Sequence, residues 1–269
     1  MRRAAASADA RAAGPVPPWR VPLTRNAVLA GGVAVWVLVV LGLDSGASLD
    51  EQRLLGVGTW LLLLAALHGE DRATRVQVGV VVVFATVVEY VFSHGLGIYV
   101  YRLDNVPAFV PPGHGLVYLA AFAIGRSAWA HRHRRPFVGA TLVVGGGWAL
   151  WGVTLADRPD ALGAFWFGCL LLFAWKGRSP LLYAGAFLVV SYLEIVGTSL
   201  GTWAWQPYDP ITGAISIGNP PSGIAGGYAW FDAAALALAP RVLLWWDRRQ
   251  NQEVCVSSEV VSRLSSRSS

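Results

Sequence analysis

Eight apolar stretches dominate the chain, near residues 27–43, 54–68, 76–92, 115–130, 137–155, 161–175, 180–199 and 223–246. A helix needs about 20 apolar residues to cross the hydrocarbon of a bilayer, with a range of roughly 17–25. Most of the stretches fall in or near that range. The second and sixth, at 15 residues, either lengthen into their polar flanks or stay buried, so the count is eight, or seven if one of them does not cross. Only 14% of the 269 residues are charged and mean hydropathy is +0.49, whereas a soluble domain carries about 25% charge. These properties exclude a soluble enzyme, a disordered protein and a disulfide scaffold. The fold class they predict is all-α, a polytopic transmembrane helical bundle of about eight helices in the cell membrane.

The net charge of +5 acquires a meaning once the spans are laid out. With the N-terminus in the cytoplasm and every stretch crossing, 18 of the 21 basic residues fall on the cytoplasmic side, leaving Arg53, Arg102 and Arg158 outside. That is the bias of the positive-inside rule, and it predicts an N-in/C-in topology. The basic residues form no patch interleaved with aromatics, so no nucleic-acid partner is expected. Residues 1–25 mix Ala, Pro and Arg without periodicity and read as a disordered cytoplasmic leader; 249–269 are Ser-rich and read as a disordered cytoplasmic tail. Oligomeric state leaves no signature.

Between these ends the chain repeats itself at about 104–110 residues. Glu89, Leu96-Gly97-Ile98-Tyr99-Val100-Tyr101, Pro111-Pro112-Gly113 and Tyr118 are matched in order by Glu194, Leu200-Gly201-Thr202-Trp203-Ala204-Trp205, Pro220-Pro221-Ser222-Gly223 and Tyr228. The expected organisation is a first four-helix repeat over 26–135 and a second over 136–248. An even number of crossings in each makes the repeats parallel, related by an axis along the membrane normal.

Three carboxylates fall inside the predicted spans: Glu89, Glu194 and Asp232. A charge there costs roughly 2.5–3.5 kcal/mol on insertion scales, so such groups face a bundle interior and commonly carry function. His114 opens the fourth stretch. These four are the candidate catalytic set, placed together in the outer half of the membrane around an outward-facing pocket. The bland alternative is that they glue helices by hydrogen bonding. The aromatic pairs Tyr99/Tyr101 and Trp203/Trp205 belong to an interfacial belt or to a cover over that pocket. With Asn219 and Tyr228 they form the candidate substrate-binding set. Ser222 is placed to cap the last helix. No metal is expected, since no Glu-x-x-His, spaced histidine pair or cysteine set is present, and no phosphate-binding loop or cofactor motif occurs.

The series Glu194-Ile-Val-Gly-Thr-Ser-Leu-Gly-Thr-Trp-Ala-Trp, Asn219-Pro-Pro-Ser-Gly, Gly227-Tyr228 and Asp232 resembles a group of bacterial multi-pass membrane proteins that share it, over roughly residues 76–122 and 180–240. That likeness implies a multi-pass fold and no particular activity. More distantly, the glutamate followed by Gly-x-aromatic-x-aromatic and a proline step is similar to carotenoid-biosynthesis membrane enzymes of the carotenoid hydratase and small lycopene-cyclase types. Pro220-Pro221-Ser222-Gly223 stands where the cyclases carry Pro-x-Glu-Glu. This resemblance implies acid/base chemistry on a membrane-dissolved isoprenoid. The other reading is a non-enzymatic carrier or binding protein for a lipid or small apolar solute, with proton coupling through the carboxylates.

Overall fold

The computed structural model describes residues 24–265, with side chains described to residue 250; the leader before Thr24 lies outside the described residues. The chain is mostly helical: α1 Arg25–Asp44, α2 Leu49–His68, α3 Arg72–Glu89, α4 Val110–Gly125, the single turn and a half of α5 Ala128–Arg132, α6 Arg134–Thr154, α7 Ala161–Lys176, α8 Pro180–Ser199 and α9 Ala225–Ser265. Helices Arg25–Asp44, Arg72–Gly95, Arg134–Thr154 and Pro180–Ser199 are long and apolar enough to cross a membrane, and Val110–Gly125 and Ala161–Lys176 are shorter apolar helices. Side chains such as Leu54, Val83, Val143, Leu150 and Trp175 are exposed on the helix surfaces.

Local chemistry sets the boundaries. The short stretch at 54–68 lengthens to begin at Leu49 because Ser48 and Glu51 form a reciprocal capping box. Asp71 starts α3 by accepting from the amide of Thr74 at 2.7 Å. Ser222 does not cap the last helix. Its amide is taken by Asp160 and its hydroxyl has no partner among the described residues, so α9 begins at Ala225. The Ser-rich tail also departs from expectation, because the backbone of α9 continues as helix to Ser265.

Long helices alternate in direction between two ends. At one end α3 loosens into a π-helical turn, Tyr90–Gly95, and Gly97 at φ 65 redirects the chain into β1, Tyr99–Tyr101. The same device closes α8, where Gly201 at φ 69 leads into β2, Trp203–Trp205. A side chain at either glycine would suffer the left-handed backbone. β1 and β2 pair antiparallel, Tyr99 with Trp205, Val100 with Ala204 and Tyr101 with Trp203. The pairing extends on both sides, from Arg102 N to Thr202 O at 3.0 Å and from Gln206 N to Ile98 O at 2.9 Å. The loops that flank these aromatics therefore meet as one small ribbon, a β element that the all-α expectation lacked. We call this the ribbon end, and the opposite one the far end.

The largest helix contacts are α4 along α8 and α3 along α9. The α4–α8 approach is close because small residues line it. A Cβ on Gly185 would lie 2.5 Å from the Ala121 carbonyl oxygen, and one on Gly125 would lie 3.0 Å from the Leu181 backbone. Tyr118, Leu119, Leu182 and Tyr183 fill the core there.

The far end is tied by a buried carboxylate. Glu70, in the α2–α3 turn, accepts two hydrogen bonds from Arg126 at 2.6 and 2.8 Å and pairs with Arg25 at 2.9 Å. Hydrogen bonding from Arg126 holds the Glu70 carboxyl below its ordinary 4.5 despite burial. A depressed folded value means the stabilisation is complete above 4.5 and fades as pH falls through the folded value. The thermal midpoint in detergent should therefore drop between pH 5 and 3 more steeply in the wild type than in Glu70→Gln. Parallel curves would show that the cluster contributes nothing.

Candidate functional site

Beneath the ribbon lies a cavity of about 330 Å³, lined mostly by apolar side chains of α1, α3, α4, α7 and α9. Its polar lining includes Glu89, Glu194 and His114, together with Tyr99, Tyr101, Trp203, Trp205 and Tyr228. Eight of the ten candidate residues thus share one chamber. Phe84 and Trp230 also line it and are 39% and 50% exposed, so the chamber reaches the apolar flank of the bundle.

The two glutamates are held by the same offsets and different chemistry. Oε2 of Glu89 accepts from the hydroxyls of Tyr99 at 2.7 Å and Tyr101 at 2.8 Å. Oε2 of Glu194 accepts from the indole N–H groups of Trp203 and Trp205, both at 3.1 Å. Alternation explains this. Residues i and i+2 of a strand point to one face, so each strand aims both of its aromatics down at the carboxyl in the helix before it. Tyr99 and Trp205 then lie side by side across the ribbon, with ring centroids 4.6 Å apart.

The remaining oxygens distinguish the pair. Oε1 of Glu89 is 2.8 Å from Nε2 of His114, whose ring stacks on Tyr228 at 5.2 Å. A carboxylate with three donors is fully engaged, and in that arrangement Nε2 carries the proton, leaving Nδ1 as an acceptor. Nδ1 has no partner among the described residues. Oε1 of Glu194 likewise receives no hydrogen bond from them. One carboxyl is pinned beside an imidazole, and the other keeps an oxygen free at the chamber.

Two candidates stand elsewhere. Asn219 does not line the cavity; its Oδ1 accepts from the amide of Trp205 at 3.0 Å, which fixes β2 in place. Asp232 is 4% exposed and also outside the lining. Its chain neighbour Trp230 packs on Phe173 of α7 at 5.1 Å, and the same ring packs on Tyr183 at 5.4 Å. Tyr183 is eleven residues before Glu194 on α8, about 16 Å along a helix axis. Asp232 therefore lies toward the far end, where the expected grouping in one half of the bundle had not put it.

The sequence reading missed the groups that hold the second loop in position. Asp160 caps α7 at Gly163 N and also accepts from Gly218 N and Ser222 N, at 2.9, 2.8 and 2.7 Å. Arg158 donates to the carbonyls of Trp205, Gln206 and Ile217, each at 2.6 Å. Burial pulls its guanidinium below the ordinary value, with Asp160 opposing. Asp209 organises the loop tip by accepting from the amides of Ile215, Thr212 and Ala214, and these bonds, that of Ile215 first, hold its carboxyl well below the usual range. The signal for Asp160 was present: an aspartate directly before an apolar run is a helix start. No group of three or more metal-ligating side chains is present among the described residues.

No family model, curated protein or solved structure matches the chain.

Proposed function

We propose that the chain is an eight-crossing membrane enzyme whose chamber performs acid/base chemistry on a membrane-dissolved, isoprenoid-like lipid. The crossing count rests on eight long helices that alternate in direction, on the apolar side chains exposed around them and on the basic residues gathered at the far end. That end is then cytoplasmic, N-in and C-in, and the ribbon faces outward. The two parallel four-helix repeats are supported by the ribbon register: Val100 pairs with Ala204, its own counterpart, as a two-fold axis through the ribbon requires.

The observation that carries the chemistry is the unlike state of the two glutamates in one apolar chamber. Sites that run acid and base steps together separate their two carboxyls by environment in this way. Glu194, through its free Oε1, delivers a proton to one carbon of a double bond; a C–H bond forms and the neighbouring carbon becomes a cation. The faces of Tyr99 and Trp205 and the Glu89 carboxylate stabilise that charge. The cation is quenched when an adjacent carbon, or a water adding its oxygen, gives up a proton to Nδ1 of His114. The imidazole shifts to expose Nδ1, and the proton then returns to Glu194. The first route moves the double bond and the second hydrates it. At about 30 Å³ per water-sized group, a chamber of about 330 Å³ takes one end of a long lipid, with the rest leaving past Phe84 and Trp230. A carrier would need the chamber to open at the far end too, and no residue of the far-end turns lines it.

Lipid and pigment profiling of a deletion strain tests this reading. A precursor should accumulate and be cleared by the wild-type gene but not by Glu194→Gln, with both proteins present in the membrane at equal levels. An unchanged profile, or clearance by Glu194→Gln, would sink it.

A further inference from the structure

Asp232 is the buried titratable group that the chamber does not use. Its carboxyl makes no hydrogen bond among the described residues, and its Oδ2 is sealed from solvent with no partner. An ionised carboxylate so placed lacks every compensation that burial demands, and a bound proton removes the charge. Around it the titratable and charged groups are Tyr118 of α4, Tyr183 of α8, Tyr228 one turn away on α9, and Arg178 in the α7–α8 turn; Cys169 is the buried one on α7. α3, which packs along the same helix, brings Phe84 against Phe231. It also brings Gln77, whose Oε1 accepts from the Tyr118 hydroxyl at 2.9 Å.

The link to the far end is short. Nη1 of Arg178 donates to the carbonyl of Leu236, one helical turn beyond Asp232, at 3.1 Å. A Cβ built on Gly177 would come within 2.9 Å of the Tyr183 hydroxyl, which puts that hydroxyl against the Gly177–Arg178 turn. Tyr183 therefore lies against the far-end turn that is tied to α9 one helical turn beyond Asp232, and it shares the Phe173 ring with Trp230 beside that carboxyl. On the ribbon side, by contrast, the way is filled by the stacked rings of Tyr228 and His114, with Phe231 edge-on to both.

We propose that Asp232 is a proton-binding site that exchanges with the far end through the Tyr183 hydroxyl and the Gly177–Arg178 turn, independently of the chamber under the ribbon. The ligand is a proton, and the residues that admit it are Tyr183 and Arg178.

The test uses the full-length protein in liposomes of phosphatidylcholine with pH set separately on each side, and dicyclohexylcarbodiimide as probe. This apolar reagent takes the proton of a carboxylic acid and captures the oxygen as a stable adduct, so it reports protonated carboxyls in apolar surroundings. Peptide mapping by mass spectrometry should place an adduct on Asp232, absent in Asp232→Asn. Its rate should fall as pH is raised on the Arg178 side and stay constant when only the ribbon side changes. In Tyr183→Phe the adduct should form but answer a pH step at least several-fold more slowly. No adduct on Asp232, a rate governed by the ribbon side, or an unaltered response in Tyr183→Phe would overturn the proposal. Labelling of Glu194 in the same digest serves as a separate readout, since the chamber chemistry requires that carboxyl to be protonated and responsive to the ribbon side. Failure there bears on the enzyme reading and leaves Asp232 to be judged by its own adduct.

Discussion

Replacing Glu89 by alanine should destabilise the protein by about 3–5 kcal/mol, as removal of one partner from a buried charged network does. Three donors lose their acceptor at once: the Tyr99 and Tyr101 hydroxyls and Nε2 of His114. All three residues are buried, and water has little room to replace the carboxylate. At roughly 2–4 °C per kcal/mol for a chain of this size, the thermal midpoint in detergent should fall by about 10 °C. Glu89→Gln should lose less than half as much. The amide oxygen still accepts from the tyrosines, and the imidazole can change tautomer to accept from the amide N–H. Equal losses in the two variants would show that the network is not what holds the ribbon down. A midpoint unmoved by alanine would show that the tyrosines find other partners.

Asp160→Ala should have an effect of similar size and a different location. Its carboxylate satisfies the first turn of α7 and two amides of the second loop, 58 and 62 residues further along the chain. A lost helix cap costs about 1 kcal/mol, and each of the two buried amides left unpaired adds about 1–3, giving roughly 3–7 kcal/mol in all. The consequence should be local opening. Amide hydrogen exchange should rise by two or more orders of magnitude across 206–222, with α1 and α4 unaffected. Protection unchanged in that loop would refute the assignment of Asp160 as its anchor. Asp160→Asn should fall between, since one oxygen remains to accept.

Much of the helical layout was legible because bilayer-length apolar runs have few other uses, and capping chemistry refined it. Ser48 with Glu51 and Asp71 with Thr74 moved helix starts by several residues. The ribbon was less legible. Tyr99-Val100-Tyr101 and Trp203-Ala204-Trp205 alternate as strands do, yet three residues are too few to declare a strand when the partner lies 104 positions away. The same distance hid Asp160 and Arg158, whose work is done on backbone groups that no side-chain pattern announces. Glu89, Glu194 and His114 could be found because polar groups in an apolar run are rare. Their grouping with Asp232 could not be checked by helical spacing alone, because spacing fixes the face of a helix and says nothing about depth relative to a neighbouring helix. Depth separates Asp232 from the other three.

The ribbon also sets the order in which such a chain can be assembled. β1 is complete at residue 101 and finds nothing to pair with until residue 205 has followed. α3 and α4 likewise wait for α9 and α8. Contacts this distant in sequence form late, because the intervening chain must first be ordered. During synthesis the first half therefore exposes Glu89 and its two tyrosines without their cover, and the chamber comes into existence only when the last helix docks. A chain cut short before β2 has no chamber at all, so ligand binding reports completion of the fold.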